Sequence, residues 1–180
     1  LAPTDLFVEV GGEVGRGRGF PGTDRQNKNG SGAGVLFAHM GDDIGIEHSW
    51  RAGASLHQTH AVDHVSKAVP YLHNSFVTNI FSGDRQTTRL DFVWKHSPNG
   101  NTANRYLKLQ GEYFRRKETG DVTYNTLGAN ITDSFNVTQS GWYLQSVAQF
   151  IPHWRAGLRY DQLDSGTATV GATNFANVIS

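Results

Sequence analysis

The feature that most constrains this chain is the alternation of apolar and polar side chains at every second residue. In residues 50–56 and 89–95, Trp, Leu and either Ala or Phe occupy every second position, and the positions between them include charged residues. We call these two alternating sets the apolar parity and the polar parity of a strand. Successive side chains of a strand point to opposite faces, so this period predicts strands with one apolar and one charged face. The chain contains seven such segments, of which the second is apolar on both faces: residues 6–14, 33–40, 50–56, 89–95, 107–113, 142–150 and 154–161.

Length and composition narrow the class of protein. These segments contain seven to nine residues, and we expect the full strands to reach roughly nine to eleven, enough for a tilted strand to cross a bilayer, whereas no run approaches the ~20 apolar residues of a spanning helix. The chain has no cysteine, which excludes disulfides, thiolate metal sites and cysteine nucleophiles. Sixteen basic residues balance sixteen acidic ones, so bulk charge does not favour a nucleic-acid partner.

The predicted connections alternate in length. Short ones follow the second, fourth and sixth strands, at residues 41–47, 97–104 and 152–153. Long ones follow the first, third and fifth strands, at residues 17–31, 58–85 and 117–139. This layout is typical of outer-membrane barrels, whose turns are short on the periplasmic side and long outside. The sequence therefore predicts an all-β, antiparallel up-and-down transmembrane β-barrel, with residues 1–180 as a single domain and no plug domain.

A soluble β-sandwich also alternates, and it stays open as the alternative fold. Two features favour the membrane barrel. Small apolar residues such as Ala52, Ala54 and Gly111 would leave a sandwich core underfilled, whereas a lipid-facing surface has no such requirement. Aromatic rings with a polar handle suit membrane interfaces, and five stand near predicted strand ends. These candidate interface aromatics are Trp50, Trp94, Tyr113, Trp142 and Trp154.

The polar parity of the strands carries the candidate functional residues. They are Glu9, Glu13, Arg51, Arg89, Asp91, Lys95, Lys108, Glu112, Arg155, Arg159 and Asp161, six cations and five anions. A charge at the bilayer midplane costs ~2–4 kcal/mol, so these side chains cannot face lipid. We expect them either to line a lumen that orients polar solutes or to pair across strands and fill a narrow interior.

Histidines cluster around one stretch, with His57, His60, Asp63 and His64 close together in the sequence. Neutral imidazoles with a carboxylate can bind zinc or copper. The spacing matches no closed structural site, and a solvated polar loop is the favoured interpretation. The sequence therefore assigns neither a metal nor a cofactor.

Catalysis is not expected from the sequence. Glu9 and Glu13 share a strand face four residues apart, ~13 Å at strand rise, which is too far for an acid–base pair. The nucleophile elbow G-x-S-x-G is missing. Residues 15–19, Gly-Arg-Gly-Arg-Gly, look like a phosphate loop but lack its final glycine and a following helix.

Several stretches resemble porin-like bacterial outer-membrane proteins, a family described as zinc-regulated or TonB-dependent-receptor-like. They include residues 9–17 (EVGGEVGRG), 20–25 (FPGTDR), 47–53 (EHSWRAG), 91–95 (DFVWK), 98–101 (PNGN), 108–117 (KLQGEYFRRK), 140–143 (SGWY) and 154–161 (WRAGLRYD). The resemblance implies a barrel about twice as long as this chain. It also implies residence in the outer membrane of a Gram-negative bacterium, in contact with its lipid. Contact with lipopolysaccharide is an expectation from Arg115, Arg116 and Lys117 at the end of the fifth strand, since guanidinium groups bind phosphate, although a solvated loop base is the favoured interpretation of these residues.

The chain departs from that pattern in having no plug domain and no terminal aromatic strand. Seven strands is an odd number, whereas single-chain bacterial barrels have even numbers. We therefore expect a fragment of a larger barrel unless residues 166–180 add an eighth strand. The function expected is a channel for passive passage or binding of small solutes or ions, with a homo-oligomer as a possible assembly. The alternatives are a soluble carbohydrate-binding sandwich and a non-conducting outer-membrane scaffold or adhesin.

Overall fold

The protein is all-β in the computed structural model, which describes residues 6–15, 32–67, 78–124 and 130–176, without the side chains of 65–67, 78 and 173–176. The strands are β1 (Phe7–Gly15), β2 (Ala33–Ile44), β3 (His48–Lys67), β4 (Thr78–His96), β5 (Tyr106–Tyr124), β6 (Ile131–Ile151), β7 (Trp154–Asp164), β8 (Thr167–Val170) and β9 (Thr173–Ala176). A 3-10 turn, Pro98–Gly100, connects β4 and β5. Within these ranges, no helix has the length and hydrophobicity needed to span a membrane.

All strands belong to one antiparallel sheet in which neighbours in sequence are neighbours in space. Strands β7 and β8 run one after the other along β6, since Asp164 pairs with Ser140 and Val170 pairs with Phe135. Strand β9 then turns back antiparallel to β8, beyond Gly171 with its φ of 55°. The predicted up-and-down antiparallel fold is confirmed, and residues 166–180 do supply the start of an eighth pass.

The sheet is open in the part of the chain that the structure describes. Strand β1 pairs with β2 alone, β7 pairs with β6 alone, and β9 pairs with β8 alone. Each outer strand consequently presents one row of backbone groups without a strand partner there. An edge of this kind is a template for pairing with a further strand.

The expected long connections at residues 58–85 and 117–139 are wrong. Strands β3 to β6 are 20, 19, 19 and 21 residues long and extend through most of both segments. Along these extensions the charged face carries apolar side chains, such as the buried Phe81, Val122 and Val137, while the other face is mostly polar. The alternation that revealed the other strands is therefore reversed there. Their threonines favour strand geometry nonetheless, and the hydroxyl oxygens of Thr123 and Thr132 lie 2.8 Å apart across β5 and β6. The third long connection, residues 17–31, lies outside the described residues.

The three expected short connections are confirmed as short, at residues 45–47, 97–105 and 152–153. They lie together at one end of the sheet, called the short-turn end below; the opposite end is the far end. Two of them are joined, because Ser97 donates its backbone N–H to the carbonyl of Glu47 at 2.7 Å. These turns therefore hold β2, β3, β4 and β5 in a fixed arrangement.

The pairing register separates the two parities of the sequence onto two faces. One face, called the apolar face, contains the directly paired row Ala54, Leu90, Tyr113 and Trp142. The other, called the charged face, contains the row His39, Gly53, Asp91, Glu112, Tyr143 and Asp161. The alternation in the sequence thus becomes a sheet with chemically distinct sides.

Burial on these two faces is inverted relative to a soluble protein. Every buried strand residue of the described chain lies on the charged face, including Glu118 and Gln149 at 5% exposure. On the apolar face, Leu36 is 65% exposed and Leu158 is 83% exposed. Side chains converge on the inside of a curved sheet, so the sheet curves toward its charged face.

Candidate functional site

The charged face carries all eleven candidate residues that the sequence analysis assigned to a lumen. Their arrangement on that face is ordered rather than mixed. Four of the five acidic candidates, Glu9, Asp91, Glu112 and Asp161, share one register row, and Glu13 lies four residues farther along β1. Arg89 lies one row toward the far end, Arg51 and Arg159 lie one row toward the short-turn end, and Lys95 and Lys108 lie two rows toward that end.

A histidine and a glycine hold the first half of the acidic row together. The His39 ring lies between two carboxylates, with Nδ1 3.2 Å from Glu9 Oε2 and Nε2 3.8 Å from Asp91 Oδ2. Gly53 separates His39 from Asp91, and a Cβ there would lie 2.3 Å from His39 Cδ2 and 2.4 Å from Asp91 Oδ2. The missing side chain at Gly53 is what allows the imidazole and the carboxylate to approach each other across β3.

Arginines pair with the second half of the row. Arg89 Nε lies 3.2 Å from Glu112 Oε1. Arg159 donates to both oxygens of Asp161 at 2.6–3.0 Å, and its guanidinium carbon stands 3.9 Å from the centre of the Tyr143 ring. Fixed guanidiniums on carboxylates leave this row close to neutral.

The short-turn end of the charged face keeps an excess of positive charge. Lys95 and Lys108 are direct cross-strand partners, and within the described residues neither has a carboxylate within 4.0 Å. Arg155 donates to Gln149 at 3.0 Å and lies over the Tyr106 ring at 5.8 Å, without an acidic partner in the same part of the chain. The near balance of charge expected from the sequence therefore applies to the whole face but not to this end.

The far end of the charged face is filled by side chains that the sequence analysis did not identify. Arg85 Nε lies 2.5 Å from Glu118 Oε1, and Arg116 binds the same oxygen. Beyond them Phe81 and Phe135 meet edge to face, with ring centres 5.5 Å apart. Arg85, Glu118 and the two phenylalanines lie in the segments expected to be loops, whereas Arg116 directly precedes the second of these segments and lies on the charged face.

The candidate interface aromatics all belong to the apolar face. Trp50 pairs directly with Trp94 near the short-turn end, and Tyr113 pairs directly with Trp142 farther along the sheet. Trp154 begins β7 with the same parity as the apolar-face residue Ala156. Large apolar side chains fill the region between these aromatic levels, which we call the apolar band. Its exposed members include Leu36, Met40, Leu90, Phe92, Leu144 and Leu158.

The apolar band runs obliquely across the register rows. Toward the far end its last apolar members are Val14 on β1, the last described residue of that strand on this face, and Tyr160 on β7, beyond which Gln162 is polar. The row of Tyr160 passes through Leu144, Gly111, Phe92, Ala52 and Met40 to reach Val8. Val8 lies six residues before Val14, so the limit shifts by six residues over six strand-to-strand steps.

That shift gives the tilt of the strands, which is the angle between the strands and the direction perpendicular to the long axis of the apolar band. Six residues span about 20 Å along a strand, and six inter-strand steps span about 29 Å, which gives a tilt of about 35°. Strands of transmembrane barrels are tilted by ~35–45°. The angle follows from the sequence positions and the pairing register alone.

The four candidate metal ligands at residues 57–64, three histidines and Asp63, do not form one cluster. His57 and His60 lie on opposite faces of β3, and His60 Nδ1 lies 2.7 Å from Asp84 Oδ1 rather than near Asp63. Asp63 occupies a bulge with φ of 51°, where its backbone N–H donates to Ser82 at 2.9 Å, and His64 pairs with Phe81. The interpretation as a loop is wrong, because β3 continues to Lys67.

Comparisons with known proteins add no further identification. No protein-family model matches the chain. Neither the curated proteins nor the solved structures contain a match. The functional argument accordingly depends on the two faces, their charges and the oblique apolar band.

Proposed function

We propose that this chain is part of a porin-like β-barrel in the outer membrane of a Gram-negative bacterium, through which small polar solutes or ions pass passively. The observation that carries the proposal is the inverted burial. Removing a leucine side chain fully from water stabilises a protein by roughly 1.5–3 kcal/mol. Exposed side chains such as Leu36 and Leu158 forgo that stabilisation unless hydrocarbon covers them. Lipid against the apolar face removes the cost.

The open edges of the sheet, formed by β1 on one side and by β7 and β9 on the other, belong to the same proposal. An unpaired backbone group in hydrocarbon costs several kcal/mol, so an open sheet does not persist in a membrane. Further strands of a larger barrel must therefore pair with both edges. The porin-like resemblance of the sequence, which implies a chain about twice this length, agrees with that requirement.

The charged face would line the water-filled interior. Paired carboxylates and guanidiniums in the middle rows orient polar solutes without strongly selecting their sign, whereas Lys95, Lys108 and Arg155 are not neutralised nearby. An unbalanced positive end attracts anions and raises their local concentration. The proposed channel accordingly favours small anions over cations of the same size.

Contact with lipopolysaccharide follows from the outer border of the apolar band. Arg115 and Lys117 lie on the apolar face two and four residues beyond Tyr113, and both are exposed. Guanidinium and ammonium groups bind phosphate, and lipid phosphates lie at the level just above the hydrocarbon. We therefore place the far end on the outer side of the membrane and the short turns in the periplasm.

Current through a planar bilayer tests the proposal. Purified protein that includes the strands closing the barrel should give steady ion current with an anion preference, and Lys108→Gln should reduce that preference. Arg115→Gln removes the same charge from the other face and is the matched control, so its selectivity should equal that of the wild type. A folded protein that gives no current, or equal changes in both variants, would contradict a lumen lined by the charged face.

A non-conducting outer-membrane scaffold is the second candidate. The far end of the charged face is occupied by Arg85, Glu118 and the Phe81–Phe135 pair, which narrows that side of any lumen. Absence of current together with a requirement for detergent would select the scaffold. Stability in detergent-free buffer would instead select a soluble binding module, the remaining alternative.

A further inference from the structure

We propose that Glu47, His48 and His96 form a site for a divalent transition-metal ion at the short-turn end of the apolar face. One donor atom from each of the three side chains lies within 4.8 Å of the other two. The site does not depend on the proposed channel, since it rests on strand pairing and turn contacts alone. It is also separate from the histidines at 57–64, which lie toward the far end of β3.

The strand register positions the two histidines. His48 is the first residue of β3 and His96 is the last of β4, and they are direct cross-strand partners. Side chains at such positions leave the sheet in parallel, with Cβ atoms ~4.5–5.5 Å apart. The ring centres are 4.5 Å apart with 24° between the planes, so small rotations bring a nitrogen of each ring toward one point.

The turn between β4 and β5 fixes the carboxylate. The backbone carbonyl of Glu47 accepts the N–H of Ser97 at 2.7 Å, and its Oε1 accepts the N–H of Asn99 at 2.8 Å. The second bond holds the carboxylate through one oxygen and orients the other. A ligand that is held by a backbone N–H in this way loses less conformational entropy on binding a metal.

His96 supplies an independent indication of a ligand. Its Nδ1 is buried and has no hydrogen-bond partner among the described residues. A buried polar atom left unpaired costs about 1–3 kcal/mol, so native structures rarely keep one without a bound species. A metal ion coordinated by the histidine pair would remove that cost.

The donor set indicates which ions fit. Two imidazoles and one carboxylate suit Zn²⁺, Ni²⁺ or Cu²⁺, whereas Ca²⁺ and Mg²⁺ prefer all-oxygen sites. Tetrahedral zinc with bonds of about 2.0–2.1 Å spaces its donors about 3.4 Å apart, so the side chains must close by roughly 1 Å. Water would complete the coordination, because all three residues are half-buried and reach solvent.

Calorimetric titration of the purified protein with ZnCl₂ tests the site. The wild type should bind one Zn²⁺ more tightly than either His48→Gln or His96→Gln, by tenfold or more. Glu47→Gln keeps an oxygen for the Asn99 N–H and should weaken binding less. The matched control is His60→Gln, which disrupts another histidine–carboxylate pair and should leave the affinity unchanged.

Fluorescence supplies a readout that does not depend on heat. The Trp94 ring stacks 5.6 Å from His48 and 6.1 Å from His96, so Cu²⁺ at the site should quench it. His48→Gln should abolish the saturable part of the quenching in folded protein, as judged by its circular dichroism. Wild-type protein that binds neither ion, or variants that bind both equally well, would overturn the site. Conduction without metal binding would refute the site alone, and metal binding without conduction would refute only the channel.

Discussion

Placing a charge on the apolar face tests the lipid-facing assignment at a single residue. We predict that Leu144→Arg destabilises the protein in a bilayer by about 2 kcal/mol more than Leu144→Ala does. Leu144 is 56% exposed, so truncating it removes few protein contacts, and Leu144→Ala measures that small loss. The further loss of stability in Leu144→Arg relative to Leu144→Ala therefore reports whether hydrocarbon or water surrounds the side chain at residue 144.

The magnitude follows from the position of Leu144 in the apolar band. It lies two residues inside Trp142 on β6, about 7 Å along the strand and about 5 Å in depth at a tilt of 35°. Charge on a barrel exterior costs ~2–4 kcal/mol at the midplane and ~0–1 near the interface, so an intermediate depth gives about 2 kcal/mol. In water the same exposed substitution would stay within about 0.5 kcal/mol.

Urea unfolding of the variants in lipid vesicles measures this difference. The matched control is Asn136→Arg on the same strand and the same face, which lies eight residues farther toward the far end and outside the apolar band. It should cost less than about 0.5 kcal/mol. Equal effects of Arg at 144 and 136 would refute the assignment of hydrocarbon to the apolar face.

Three further predictions follow from other parts of the molecule. Gly53→Ala should destabilise the protein by about 1–3 kcal/mol because the new Cβ would clash with His39 and Asp91. Gly34→Ala, whose Cβ would meet nothing closer than 3.9 Å, should cost much less in the same unfolding assay. Equal costs would argue against the close approach of His39 and Asp91 over Gly53. Tyr124 donates its hydroxyl to Asp133 at 2.7 Å, and that bond, with slight desolvation and the carboxylate charge, raises the pKa of Tyr124 above its usual 10.0. The stability that this bond contributes is fully present below the ordinary tyrosine pKa and is lost as the pH rises through the raised pKa. Ultraviolet titration should show that the pKa of Tyr124 is lower in Asp133→Asn than in the wild type. An unchanged pKa would contradict the hydrogen bond to Asp133 as the cause of the shift. Polarised infrared spectra of oriented membranes should give a strand tilt of about 35°, and a tilt near zero would contradict the oblique band.

The faces of the sheet could be predicted from the sequence because a period of two is a local property. Leu90 and Asp91 lie on opposite faces in any strand, whatever that strand pairs with. All eleven charged candidates and all five interface aromatics consequently fall on the expected sides. The connections at the short-turn end were equally predictable, since their glycine, proline and asparagine residues mark turns.

Features that depend on register were not predictable from the sequence. His48 and His96 are far apart in the chain, and only the pairing of β3 with β4 brings them together. The far-end halves of the long strands were missed because the alternation reverses there, with Thr119 and Asp121 on the face that is apolar elsewhere and the buried Val122 on the charged face. An alternation of hydrophobicity reports a strand only where its two faces meet different surroundings.

Accessibility along β6 tests the central claim most directly. The chain has no cysteine, so single cysteines at residues 144, 145, 146 and 147 can each carry one nitroxide label. Ser146 is polar on the apolar face and Val147 is apolar on the charged face, so the hydropathy of the native residue does not dictate the outcome. In vesicles, labels at 144 and 146 should collide with oxygen dissolved in hydrocarbon, and labels at 145 and 147 with a water-soluble nickel complex. Equal access of the nickel complex to all four, or the opposite alternation, would contradict a lipid-facing apolar side.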